Sequence, residues 1–201
     1  DNTIIIGTGG SSGTYYAMGA GMSQIITNNS DDLTAVSQGT GGAVENVRLV
    51  HSGEIQVGFG NWDALYFGYN GTGPFEGEKQ NIVQLMNLYL SGGQMVVLES
   101  SGINSYKDLE GKKVNLGPPG STITEMSKII LESYGIDPEK DIEPFYLEFS
   151  EGASKLKDGD LDATFFVAGI PTASVIDLTT TTEVTMLSID EENIDQIIEE
   201  Y

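Results

Sequence analysis

The chain has 201 residues, 30 of them acidic and 9 basic, for a formal net charge of −21, with 39% hydrophobic and 19% charged residues. That composition belongs to a folded globular protein of one large domain or two small ones, and the acidic excess excludes nucleic acid as a partner, because phosphate binding needs a basic patch. Cysteine is absent, which removes disulfides, thiolate metal sites and cysteine nucleophiles together.

The chain opens directly on an apolar β-branched run, Thr3-Ile4-Ile5-Ile6, which reads as a mature or trimmed start. That run enters Gly7-Thr8-Gly9-Gly10, and a helix is expected from about Thr14 to Thr27. Leu33 to Ser37 enters Gly39-Thr40-Gly41-Gly42, with a helix from about Ala43 to Val50. Ile55 to Phe59 enters Gly60-Asn61-Trp62-Asp63, with a short helix near Ala64. Lys113 to Leu116 enters Gly117-Pro118-Pro119-Gly120-Ser121, with a long helix to about Tyr134. Ala163 to Val167 enters Ala168-Gly169-Ile170-Pro171, with a helix to about Leu178. Strands alternating with helices predict βαβ units and a mostly parallel sheet. Two segments echo each other, Val50-His51-Ser52-Gly53-Glu54-Ile55 and Leu156-Lys157-Asp158-Gly159-Asp160-Leu161. Each reads as a helix closed by glycine and followed by a strand.

Between these repeats the pattern changes. Residues 68–79 lack periodicity and read as a surface loop. Ile82 to Leu90 and Gln94 to Leu98 are strand-like runs split by Ser91-Gly92-Gly93, a candidate crossover between lobes. Met186 to Ile189 is strand-like and leads into an acidic helix, Glu191 to Glu200, a candidate return crossing. The expected domains are therefore a first lobe of residues 1–90, completed by 189–201 and by a further segment beyond Tyr201, and a second lobe of 91–188. No apolar run approaches the ~18 residues that a spanning helix requires.

Ligands of open parallel sheets lie beyond the carboxyl ends of the strands, where the glycine-rich turns fall. A helix N-terminus there presents free N–H groups and a positive dipole end, which holds a carboxylate without a charged side chain. The expected binding residues are Thr8, Gly9, Gly10, Thr14, Thr40, Gly41, Gly42, Asn61, Gly120, Ser121, Thr122, Gly169 and Pro171, with Tyr15, Trp62 and Tyr89 as aromatic walls. Arg48, the only arginine, lies late in a helix and is expected at the surface or behind the ligand contacts.

Three catalytic patterns fail on inspection. Gly9-Gly10-Ser11-Ser12-Gly13 has the spacing of a nucleophile elbow, but the only base for a triad is His51, at a helix end far from that turn. Gly7-Thr8-Gly9 lacks the third glycine and the ribose-binding acid of a dinucleotide fold. No Gly-Lys-Ser/Thr follows any turn, and one histidine without cysteine supports no metal site or cofactor.

The ordered motifs resemble the TAXI-type solute-binding proteins of TRAP transporters. The resemblance runs through Ile5 to Tyr16, Gly39 to Asn46, Gly102-Ile103 with Asp108 to Val114, Gly117 to Ser121, Asp158 to Ala163 and Gly169-Ile170-Pro171. Ala43 stands where that family usually carries serine. The resemblance implies an α/β fold of the type II periplasmic-binding-protein kind, with two lobes, mainly parallel sheets and a ligand cleft, and hinges near Ser91-Gly92-Gly93 and Ser188-Ile189. It implies an extracytoplasmic receptor for a small carboxylate or amino acid, glutamate-like or dicarboxylate-like, delivered to membrane components of a TRAP transporter; a monomer is expected. The alternatives are an enzyme on the same fold, with Asp63 as its base, and a regulatory effector domain, which would need an attached signalling module.

Overall fold

The computed structural model describes residues 2–119 and 121–200. Two compact units emerge, one of residues 1–89 with 120–122, the other of 90–119 with 123–201.

In the first unit, β1 (Thr3–Gly7), β2 (Thr34–Gln38) and β3 (Val57–Gly58) form a parallel sheet in the order β2-β1-β3. Each strand feeds a helix: α1 (Thr14–Asn29), α2 (Ala43–Ser52) and α3 (Trp62–Asn70). The apolar face of α2, Ala43, Val44 and Val47, packs with Ala64 of α3 and with Phe75. On another face Ile6, Ala35 and Phe59 close against the α1 side chains Met18, Met22 and Ile26. The α2 helix ends at Gly53, left-handed at φ 80°, whose N–H bonds back to the last turn. That conformation costs a residue with a side chain about 1 kcal/mol or more.

In the second unit, β4 (Gly92–Leu98), β5 (Lys113–Asn115), β6 (Glu143–Phe145), β7 (Ala163–Ala168) and β8 (Val184–Leu187) form a sheet in the order β6-β5-β7-β4-β8. Its helices are α4 (Thr122–Ser133), α5 (Phe149–Asp158), α6 (Ala173–Thr181) and α7 (Glu191–Glu200). One side of the sheet packs Met95, Val97, Val114, Phe165 and Leu131 together, and the other packs Val96, Phe149, Leu156, Phe166 and Leu178. All six residues of β7 are buried, as expected of a central strand covered on both faces.

The two units share a sub-pattern. The parallel triplet β6-β5-β7 repeats the order of β2-β1-β3, and Gly159 closes α5 at φ 78° as Gly53 closes α2. The echo between residues 50–55 and 156–161 is this repetition.

The sheets are mainly parallel, as expected, with β4 alone running antiparallel to its neighbours β7 and β8. Two expectations require correction. Residues 82–90 form no strand, and Gly92-Gly93, expected to split two strands, begins β4. Residues 189–200 stay with the second unit: Asp190 N donates to the Tyr134 hydroxyl (2.7 Å) and Asn193 Nδ2 to Ser133 O (2.7 Å), while Ile189 and Ile197 pack on the second core.

Candidate functional site

The carboxyl ends of β1, β2 and β3 are tied together by one side chain. Asn46, in the first turns of α2 and 1% exposed, donates from Nδ2 to Thr8 O (2.7 Å) and Phe59 O (2.8 Å). Its Oδ1 accepts from the Thr40 hydroxyl at 2.7 Å. Three turns, one after each strand, thus meet on a single amide. The backbone is shaped to admit it: a Cβ on Gly7 would lie 2.6 Å from Asn46 Oδ1, and one on Gly58 2.9 Å from Asn46 Cβ. Only glycine fits at these two strand ends.

The same geometry occupies the hydroxyls expected to bind ligand. Thr8 is fully buried and donates to Gln38 O at 2.7 Å. Thr40 Oγ1 lies between Asn46 Oδ1 and Thr8 O and accepts from Gly42 N at 3.2 Å. Gly41 N donates to the Glu45 carboxylate at 2.6 Å, so α2 carries its own anion at its N-terminus. Thr8, Thr40 and Gly41 therefore hold the turns in place. Sequence showed these groups at the strand ends but not the partners that claim them.

Tyr15, Asn61 and Tyr89 do converge. The Tyr15 hydroxyl hydrogen-bonds Asn61 Oδ1, and its ring lies 5.1 Å from Phe59 and 6.3 Å, edge-on, from Tyr89. Burial, then the neighbouring Tyr89 and Asp63, push the Tyr15 hydroxyl well above the ordinary tyrosine range, so it remains a neutral donor. Trp62 is 74% exposed at the start of α3, 6.3 Å from the Tyr66 ring. Gly9 and Gly10 form the turn before α1, with Gly13 N donating to Gly10 O, and Thr14 is the first residue of α1. Gly42 is the α2 N-cap at φ 106°.

Ser121 and Thr122 are buried at the start of α4, and Gly120 lies outside the described residues. In the second unit Gly169 follows β7 and its carbonyl accepts from the Thr172 hydroxyl at 2.9 Å, with Pro171 exposed beside it. A second buried amide organises that unit. Asn115 Nδ2 donates to Thr164 Oγ1 (2.9 Å), and its Oδ1 accepts from Leu147 N (2.8 Å). Gly152 leaves room for it, since a Cβ there would lie 2.4 Å from Asn115 Nδ2.

The residues weighed for catalysis are placed otherwise. His51 sits in the last turn of α2, where Nδ1 accepts from Asn81 N at 2.8 Å, at the opposite end of that helix from the glycine-rich turns. Asp63 Oδ1 accepts from Ala64 N at 2.8 Å, within the first turn of α3. Arg48 donates to Pro74 O and lies over the Phe75 ring at 5.3 Å, away from the turns. Among the described residues no cluster of three His, Asp or Glu is set to hold a metal ion, and no helix is long and apolar enough to cross a membrane.

Residues 6–201 match the NMT1-like family. The chain belongs to that family. Solved structures similar to this NMT1-like chain include the alkanesulfonate-binding protein SsuA from Xanthomonas axonopodis pv. citri bound to MOPS (16% identity, 95% of this chain and 62% of that one, TM-score 0.64). They also include the periplasmic aliphatic sulphonate binding protein SsuA from Escherichia coli (18%, 94% and 57%, TM-score 0.57). A third is an ancestral arginine-binding protein bound to arginine (19%, 100% and 92%, TM-score 0.60). The chain spans 62% and 57% of the lengths of the two SsuA proteins. These likenesses establish an α/β fold like that of periplasmic binding proteins.

Proposed function

We propose that this protein is an extracytoplasmic substrate-binding receptor that captures a small carboxylate or amino-acid solute, without catalysis, and delivers it to a TRAP-type membrane transporter. The observation that carries the reading is a binding-protein fold whose glycine-rich turns gather at the strand carboxyl ends, with the half-buried Tyr15–Asn61 pair beside the Tyr89 ring. A half-buried neutral phenol and an amide are orienting groups of the kind small-molecule sites use. His51, at the far end of α2, offers no base to Ser11 or Ser12. The similar solved structures are named for binding sulfonates and arginine, which supports capture of a small polar solute. The TRAP partner follows from the motif resemblance. The lobes proposed for the receptor are residues 1–90 and 91–188, with the ligand contacts drawn from Gly9, Gly10, Thr14, Tyr15, Gly42, Asn61, Trp62, Tyr89, Gly120, Ser121, Thr122, Gly169 and Pro171. The reading is tested by a thermal-shift screen of L-glutamate, succinate and 2-oxoglutarate. A compound present at about 100 times its Kd raises stability by about 2.7 kcal/mol. A clear upward shift with one of the three supports the reading, and no shift with any of them contradicts it.

A further inference from the structure

We propose that the N-terminus of α6, with the Ser174 hydroxyl, is the subsite that receives the carboxylate of the captured solute. This assignment rests on the binding-protein reading above and adds to it the element that neutralises the ligand's negative charge.

Helix N-termini abound at the strand carboxyl ends, and most are already occupied. The α2 N-terminus holds Glu45 on Gly41 N, α3 holds Asp63 on Ala64 N, and α4 and α5 carry Glu125 and Glu151 in their first turns. An incoming carboxylate meets a like charge at each of these. The α6 helix has no acidic residue in its first turn, and no side chain caps it: the Thr172 hydroxyl, at the N-cap, donates backward to Gly169 O. Its first N–H groups have no partner inside the helix, and the aligned peptide dipoles give that end a positive field.

Ser174 supplies the second, independent observation. It is the second residue of α6, 6% exposed, and its Oγ is one of two buried side-chain oxygens without a hydrogen-bond partner among the described residues. Such a group costs about 1–3 kcal/mol unless something bonds to it. The other, Ser23, lies mid-helix in α1, where the backbone N–H groups are already used. Ser174 instead sits where N–H groups are free, and the Cα–Cβ bond of a helical residue tilts toward the helix N-terminus. The mouth is open, since Ile170, Pro171 and Ala173 are exposed. The α1 N-terminus also lacks an acid in its first turn, but no unpartnered buried donor accompanies it. A carboxylate at α6 would take N–H bonds from the first turn and an O–H bond from Ser174, satisfying the orphaned hydroxyl.

The test is calorimetric titration of L-glutamate, succinate and 2-oxoglutarate into the wild-type protein and two variants. Ser174→Ala deletes the hydroxyl with little change in volume and is expected to weaken binding of whichever compound binds wild type by about tenfold. Ala173→Asp places a carboxylate at an exposed first-turn position, favourable for the helix itself, and is expected to weaken binding more strongly while leaving the unfolding temperature equal or higher. Wild-type binding with wild-type affinity in both variants overturns the subsite and leaves the receptor reading standing. Absence of binding by wild type overturns the receptor reading and the subsite with it.

Discussion

Asn46 shows how one side chain ties together the turns at three strand ends. Its three hydrogen bonds reach a turn after each strand of the first sheet; replacing it takes the Asn46 amide from Phe59 O and leaves Thr8 O and the half-buried Thr40 hydroxyl with only each other and Gly42 N. Asn46→Ala is expected to destabilise the protein by about 2 kcal/mol, since one buried carbonyl deprived of its partner costs about 1–3 kcal/mol and the other two groups keep a bond; urea unfolding measures this. A loss below about 1 kcal/mol would show that the turns stand without it. The sequence carried a signal for Asn46, a polar residue on the buried face of α2 beside Ala43, Val44 and Val47. It carried none for the fate of the Thr8 and Thr40 hydroxyls. Their partners, Gln38 O and Asn46 Oδ1, lie 30 and 6 residues away and are set by strand register and helix phase.

At the scale of elements, each segment of local origin was readable. The glycine-closed helices α2 and α5, the apolar strands β1 and β7, and the amphipathic α7 follow from period and punctuation. The run 82–90 has the composition of a strand but no edge to pair with, and Val83, Leu85 and Leu90 are 81%, 69% and 94% exposed. A strand needs a partner, and propensity does not reveal whether one exists. The antiparallel entry of β4 between β7 and β8 was hidden for the same reason: β4 pairs with chain far along the sequence, from Val97 with Ala163 to Met95 with Leu187. Local capping also makes a testable element. Ser105 and Asp108 form a reciprocal capping box around the short 3-10 helix Tyr106–Leu109. The backbone N–H of Asn104, then the Ser105 hydroxyl and N–H and the charge of Lys112, hold the exposed Asp108 carboxyl below its ordinary value of 3.8. A lowered folded-state value means that the stabilisation is complete above the unfolded-state value and is lost as the pH falls through the folded one. Asp108→Asn is expected to lower the unfolding temperature at pH 7, and the gap to close in the acid range below the ordinary aspartate value. A gap that persists unchanged at low pH would assign the effect to packing instead of charge.

For the molecule as a whole, the net charge of −21 is the dominant electrostatic fact. Such a charge destabilises the folded state by self-repulsion. Among the described residues the ion pairs are Lys128–Glu139 (2.7 Å) and Lys140–Asp137, both at the surface, so the repulsion is little offset. Raising NaCl from 0.15 M to 1 M shortens the screening length from about 8 Å to about 3 Å and is expected to raise the unfolding temperature. A fall would mean that the few favourable pairs outweigh the many repulsions. The same field explains why an anionic solute needs an oriented helix terminus such as that of α6. The central claim, that the chain binds a small carboxylate and returns it unchanged, is tested most directly by titrating L-glutamate, succinate and 2-oxoglutarate calorimetrically and then analysing the recovered solute by mass spectrometry. The account predicts saturable one-to-one binding of at least one of them and recovery of the intact compound. Chemical conversion of the solute, or no binding of any of the three by the folded protein, would contradict it.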